Sequence, residues 1–287
     1  MAAIHPHDAE PLTQPPRKSR AGRNLPAAIG VGVSLGAVIV ASLFLYRAAF
    51  VVVLAITISV AIWELTDSIA KSGTHPPAVP LILGGLATAA ITWFKGSEAL
   101  TVAFLLTCLA VAVWRLADGP DGYLRDVSAG LFVALYVPFL AGFAVLMTVP
   151  SDGPRRVVAF IATVVCSDIG GYATGVFLGR HPLAPKVSPA KSWEGFAGSV
   201  VSCTAVGIAF FTLVFHHAAW QGALFGAALA LTATLGDLGE SLLKRDLGVK
   251  DMGSLLPGHG GVMDRLDSLL PGAVVSYLLF SAFIPVH

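Results

Sequence analysis

Residues 128–149 read SAGLFVALYVPFLAGFAVLMTV, a run without one charged side chain. The hydrocarbon core of a bilayer is crossed by a helix of about 20 mostly apolar residues, and this run meets that test by itself. Applied outward along the chain, the same test yields nine candidate spans, at about 25–46, 48–70, 78–94, 98–116, 128–149, 156–178, 194–215, 219–241 and 267–285. The third is the weakest, being short and holding Pro80, Gly84 and Gly85. Backbone groups cannot go unpaired in lipid, so each span is expected to be helical. The expected fold class is therefore all-α: a polytopic integral membrane protein with about nine transmembrane helices.

Composition agrees. Of 287 residues, 55% are apolar and only 12% charged, against roughly 25% charged in soluble globular chains. So few charges cannot coat a water-facing surface, which excludes a soluble, disordered or collagen-like chain. The net charge of +1 offers no field for a polyanion such as nucleic acid. Cys108, Cys166 and Cys203 lie in apolar stretches with no close pair, which is neither a disulfide framework nor a zinc spacing. They read as small buried hydrophobes. Residues 1–24 are polar, proline-rich and end in four cations, as expected of a disordered cytoplasmic tail. The run that follows is too long for a signal-peptide core and lacks a small-x-small cleavage site, so it is expected to stay in the membrane.

Lysine and arginine set the orientation. With nine alternating spans and the N-terminus inside, fourteen of the 18 fall inside; the exceptions are Arg47, Lys95, Arg155 and Arg156. The two longest polar interruptions, about 179–193 and 242–266, then face the cytoplasm. The chain divides into the tail 1–24, an N-terminal region 25–150 with five spans, and a C-terminal region 151–287 with four spans and both cytoplasmic loops.

Charges inside spans are costly and usually functional. Asp168 lies midway through the sixth span, Asp237 and Glu240 near the cytoplasmic end of the eighth, and Asp264 and Asp267 at the start of the ninth. Carboxylates crowded at one face repel unless a cation sits among them, and a hard divalent ion is the simplest candidate. Asp237, Glu240, Ser241 and Lys244 stand at i, i+3, i+4 and i+7, one face of a helix; Asp264 and Asp267 are spaced i, i+3. Two helices that each present a carboxylate can clamp one magnesium ion, leaving its other positions to water and phosphate oxygens.

The loop between those helices reads Lys244-Arg245-Asp246, then Lys250-Asp251, then Pro257-Gly258-His259-Gly260-Gly261. Glycines admit backbone N–H groups to phosphate oxygens and cations neutralise them, so with the flanking carboxylates the loop is expected to cradle a nucleotide or pyrophosphate. The other cytoplasmic loop carries Arg180, Lys186, Ser188 and Lys191 before Ser192, which is placed to cap the seventh helix and aim its positive end at the same pocket.

The stretch Ser241-Leu-Leu-Lys244-Arg245-x4-Lys250-Asp251-x-Gly253-x3-Pro257-x-His259-Gly260-Gly261-x2-Asp264-Arg265-x-Asp267 resembles the signature of the phosphatidate cytidylyltransferases, the CDP-diacylglycerol synthases. Ser167-Asp168 through Gly179-Arg180 and Ser188-Pro189 through Glu194-Gly195 are similar to two further blocks of that family. The resemblance covers about 160–285. Ala190 stands where the family commonly has a second lysine, Ser192 where threonine is common, and Ile169-Gly171 replace a more usual Thr-x-Ala. Lys191 is then the basic residue of its block.

The resemblance implies transfer of CMP from CTP to phosphatidate with Mg2+, a multi-pass protein of the inner membrane, and a homodimer with sites open to cytoplasm and lipid. By position it makes Asp237 and Asp264 metal-binding aspartates and Lys191 a catalytic lysine, and it suggests a second, monovalent cation such as K+. On the chemistry of the residues, Ser188, Lys244, Arg245, Lys250, His259, Gly260, Gly261 and Arg265 are expected at the substrates, with Asp168, Glu240, Asp251 and Asp267 in a supporting shell. The rival readings are another CTP-dependent membrane lipid kinase or transferase, and an ion-coupled transporter. A transporter predicts internal repeats, and the Gly236-Asp237-Leu238-Gly239-Glu240 block has none in the first half.

Overall fold

A computed structural model of the chain describes residues 25–255 and 260–285; the expected disordered tail, 1–24, lies outside them. The helices are α1 (Leu25–Leu45), α2 (Arg47–Ala70), α3 (Ala78–Lys95), α4 (Ser97–Arg115), α5 (Tyr123–Ala134), α6 (Leu140–Thr148), α7 (Gly153–Leu178), α8 (Trp193–Ala209), α9 (Ala219–Asp246), α10 (Met263–Leu266) and α11 (Leu269–Phe283). Among the described residues, eight helical rods are long and apolar enough to cross a bilayer, and α1 adds a shorter apolar stretch, Gly32–Leu45. The protein is an all-α polytopic membrane protein.

Three spans differ in extent from the expectation. The run 128–149 is part of a rod, Tyr123–Thr148. Pro138 within it has no N–H to donate and crowds the preceding turn, so the helix widens into a π segment at Leu135–Phe139 and continues. The eighth span does not stop at 241, because α9 runs on to Asp246. Lys244 thus keeps the helical face expected from its spacing and reaches Glu240 one turn back, and Arg245, expected in the loop, joins it in the last helical turn, where cations meet the negative end of the helix. The ninth span starts at Met263 rather than 267, and it is broken between α10 and α11. Pro271 in the first turn of α11 cannot supply the N–H that would join the two pieces.

The loop 179–193 is ordered as a small antiparallel hairpin, β1 (Pro182–Ala184) with β2 (Ser188–Ser192), Pro182 facing Ser192 and Ala184 facing Ser188. It passes directly into α8. Ser192 caps that helix as expected, its Oγ accepting the Gly195 N–H at 3.1 Å.

The helices α7, α8 and α9 lie side by side. In lipid there is little hydrophobic drive between helices, and close association relies on small residues and short hydrogen bonds. Ser199 Oγ donates to Ser167 O at 2.7 Å and Ser202 Oγ to Cys166 O at 2.9 Å. Gly226 sits so close to the Cys203 backbone that any side chain there would collide. All three cysteines are free thiols. Phe211, Phe225 and Phe280 close the core of this half, with ring centroids 4.9–5.8 Å apart. A second core joins Ile58, Ile62 and Leu65 of α2 to Met252 and Met263, so the stretch around the glycine loop is anchored in the N-terminal helices.

Gly226→Leu is expected to destabilise the protein by about 1–3 kcal/mol through overpacking, whereas Gly36→Leu, which faces open space, changes little. Thermal unfolding of both variants in detergent checks this; equal midpoints would contradict the close α8–α9 contact.

Candidate active site

A cavity of about 580 Å³ lies between α7, the hairpin, the start of α8 and α9, within the range of small-molecule sites. Asp168 and Tyr172 line it from α7, Ser188 and Lys191 from β2, Ser192 and Gly195 from the N-terminus of α8, Asp237 from α9, and Arg265 from α10. Tyr172 and Val176 line the cavity and are also 76% and 61% exposed. The chamber thus opens onto the apolar outer surface of α7.

Each wall has a local cause. Glu194 holds the start of the hairpin loop, accepting the Arg180 and His181 N–H groups at 3.1 and 3.2 Å, with His181 Nδ1 2.6 Å from its other oxygen. Arg245 Nε donates to Val187 O, clamping the hairpin turn to the end of α9. Arg245 was expected at the substrates and is here engaged with the loop that frames them. Lys191 is held inward by an ion pair to Asp237 Oδ2, and Ser241 Oγ donates to Asp237 Oδ1 at 3.4 Å.

Beside the cavity a second group of charges is more deeply buried. Lys244 Nζ donates to Glu240 Oε2 at 2.7 Å and to Asp264 Oδ1 at 3.0 Å. The Met252 N–H is shared between Asp264 Oδ1 at 3.1 Å and Oδ2 at 3.0 Å, and the Gly261 N–H donates to Oδ2 at 2.8 Å. Gly260 has φ +82°, a conformation that L side chains rarely adopt, and a β-carbon there would stand 3.0 Å from Asp264 Oδ2. The tight turn at Gly260 and Gly261 is what brings the backbone N–H onto the carboxylate.

The structure therefore gathers Asp168, Ser188, Lys191, Asp237, Glu240, Lys244, Gly260, Gly261, Asp264, Arg265 and Asp267 at one end of the bundle. Asp237 and Asp267 lie within electrostatic reach of Asp168, opposed by Lys191 and Arg265. Asp267 accepts the Ser268 N–H at 2.6 Å. Lys250 and Asp251 are exposed, and the Asp251 carboxylate approaches Gly260. His259 lies outside the described residues.

The charges of this region do not balance. Five carboxylates, Asp168, Asp237, Glu240, Asp264 and Asp267, face three cations, Lys191, Lys244 and Arg265. Glu240 Oε1 is buried with no hydrogen-bond partner among the described residues. Among the described residues, no three His, Cys, Asp or Glu side chains are grouped so as to hold a metal ion between them. Magnesium commonly takes one or two carboxylates and leaves its remaining positions to water and phosphate.

Two participants escaped the sequence reading. Glu64 of α2 accepts the Met263 N–H at 2.8 Å, and Ser68 Oγ donates to Met252 O at 2.8 Å. The signal was present, since Glu64 interrupts an apolar span, the same criterion that singled out Asp168.

A helical membrane protein that converges carboxylates, ammonium groups and a capped helix N-terminus on a chamber open to its apolar surface is of a class built to hold a polyanion beside lipid. The cytidylyltransferase family matches residues 26–283, and the chain belongs to that family. It is 47% identical over 278 residues to the phosphatidate cytidylyltransferase of Mycobacterium leprae, covering 91% of this chain and 89% of that protein. The Mycobacterium tuberculosis protein of the same name is 42% identical over 276 residues, covering 92% and 84%. The Brucella suis protein, also of that name, is 36% identical over 188 residues, covering 64% and 66%.

Lys244→Met leaves Glu240 and Asp264 without their shared counter-charge and is expected to destabilise the protein by about 3 kcal/mol, with Glu240→Gln in the same chain recovering part of the loss. Unfolding midpoints of the single and double variants check this; a single variant as stable as wild type contradicts the bridge.

Proposed function

We propose that the chain is a phosphatidate cytidylyltransferase, converting CTP and phosphatidate to CDP-diacylglycerol and pyrophosphate. The observation that carries this reading is the chamber itself, in which Lys191, Arg265 and the N-terminus of α8 meet Asp237 while Tyr172 and Val176 open the wall toward lipid. A headgroup can enter there with its acyl chains still in the bilayer.

A phosphate monoester oxygen of phosphatidate attacks the α-phosphorus of CTP. The new P–O bond forms as the bond from the α-phosphorus to the bridging oxygen breaks, and pyrophosphate leaves with that electron pair. The nucleophile is already ionised near neutral pH, so no general base is required, and the described site has no Ser–His–Asp arrangement to supply one. The protein's work is to bring two polyanions together and to stabilise charge on the transferred phosphoryl group and the leaving pyrophosphate. Lys191 and Arg265 supply fixed positive charge in the chamber, and the N–H groups at the start of α8 offer donors to a phosphate.

Magnesium, held by Asp237 and Asp264, would supply further neutralisation of the triphosphate. Lys191 pairs with Asp237 and Lys244 with Asp264; the Lys191 ammonium, at the chamber wall, sits on a flexible stem that can turn to phosphate. Asp168, Glu240, Asp251 and Asp267 orient this set. Ser188, Lys250 and the glycine loop border the nucleotide. The fourteen-to-four lysine and arginine asymmetry supports an inner-membrane protein with its site facing the cytoplasm. A homodimer and a second, monovalent cation belong to the same reading on the strength of the family resemblance.

Purified protein with Mg2+, phosphatidate and labelled CTP is expected to yield CDP-diacylglycerol and pyrophosphate in equal amounts; the absence of both products defeats the reading. Asp237→Asn, in a chamber-facing and partly exposed position, should fold normally and lose turnover by about 100-fold or more. Asp264→Asn should be inactive too. Full activity in either variant would overturn the metal assignment.

A further inference from the structure

Glu64 lies in the N-terminal helices, far in sequence from the catalytic blocks, yet its carboxylate is 1% exposed. Ionised carboxylates are rarely retained at such a place without a use, because desolvation costs several kcal/mol. Its neighbours in α2, Ile62 and Leu65, are fully buried and apolar, so an apolar residue at 64 would fill the position at lower cost.

Its carboxylate meets the backbone on both sides of the glycine loop. Oε2 accepts the Met263 N–H at 2.8 Å. A β-carbon at Gly261 would stand 2.6 Å from that same oxygen, and one at Gly253 would strike Oε1. Oε1 has no hydrogen-bond partner among the described residues. One turn further along α2, fully buried Ser68 holds Met252 O at 2.8 Å.

The same backbone is also held by Asp264, through the Met252 and Gly261 N–H groups. The loop backbone is thus clamped between a carboxylate of α2 and a carboxylate of the site. We infer that Glu64, assisted by Ser68, is a positioning residue for nucleotide binding: through Met252, Gly253, Gly261 and Met263 it fixes where Asp264 stands. On this inference the N-terminal helices set the geometry of the nucleotide side of the site and leave the lipid side, walled by α7, untouched. The inference rests on the proposed cytidylyltransferase activity.

The test compares wild type, Glu64→Ala, Glu64→Gln and Ser68→Ala as full-length protein in mixed micelles with phosphatidate. Michaelis constants for CTP and phosphatidate are measured separately, together with the rise in unfolding temperature caused by CTP. Glu64→Ala is expected to raise the KM for CTP by about tenfold or more, a change of about 1.4 kcal/mol, to shrink the CTP-induced thermal shift, and to leave the KM for phosphatidate within about twofold. Glu64→Gln keeps an acceptor for Met263 N–H and should bring the KM for CTP back to within about threefold of wild type. Ser68→Ala should fall between them.

A merely structural Glu64 would lower the amount of folded enzyme and leave both Michaelis constants unchanged, which overturns the inference. If Glu64→Ala does not fold, an unchanged CTP constant in Ser68→Ala overturns it equally. If wild type makes no CDP-diacylglycerol, the functional reading fails by itself. The thermal shift then decides the positioning role: a CTP-induced shift kept in wild type and lost in Glu64→Ala supports it, and equal shifts contradict it.

Discussion

The Asp264 carboxylate receives the Met252 and Gly261 N–H groups and the Lys244 ammonium, and the rest of the site is arranged around that convergence. A carboxylate removed from water must be met by donors or counter-charge. The chain meets it from three places: the glycine turn through Gly261, the loop after α9 through Met252, and the last turn of α9 through Lys244. Each of those elements is fixed by something further away. Lys244 also binds Glu240, while Met252 and Met263 are sunk into the core formed with α2. Moving any one of these supports leaves a buried charge exposed to its own kind.

The same economy explains the division between the two charge groups. The deeper group, Glu240, Lys244 and Asp264, is nearly closed to solvent and fixes the backbone. The shallower group, Asp168, Lys191, Asp237 and Arg265, borders the chamber. An ammonium paired to a carboxylate at a chamber wall is a stored charge: when a polyanion and a cation arrive together, both halves of the pair gain a new partner. A site of this kind does its chemistry by electrostatics and positioning, with no proton relay to arrange.

Much of this was legible in the sequence. Apolar run lengths located the helical rods, and intramembrane carboxylates marked residues that the fold brings together, because both follow from one rule about polarity in lipid. The i, i+3, i+4, i+7 spacing from Asp237 to Lys244 correctly put Glu240 and Lys244 on one helical face, and Ser192 announced a cap that the structure contains. What escaped reading was of two kinds. Helix ends shifted where local chemistry overrode hydropathy, as at Arg245, which prolongs α9, and at Pro271, which splits the last span. The partnership of Glu64 with Met263, 199 residues away, is a tertiary fact; the sequence marks Glu64 as unusual but cannot say which backbone it faces. The hairpin at 182–192 was hidden for a related reason, since strands of three and five residues are too short to show a period.

On the proposed function, the chamber bounded by Asp168, Lys191, Asp237 and Arg265 receives the triphosphate, and the Lys191–Asp237 pair opens to admit it. An experimental structure of the protein with CTP and Mg2+ in lipid nanodiscs tests this most directly. Triphosphate density is expected in that chamber, with Lys191 turned from Asp237 to a phosphate oxygen and Asp264 still held by Met252 and Gly261. Nucleotide bound elsewhere, with the Lys191–Asp237 pair intact, would contradict it.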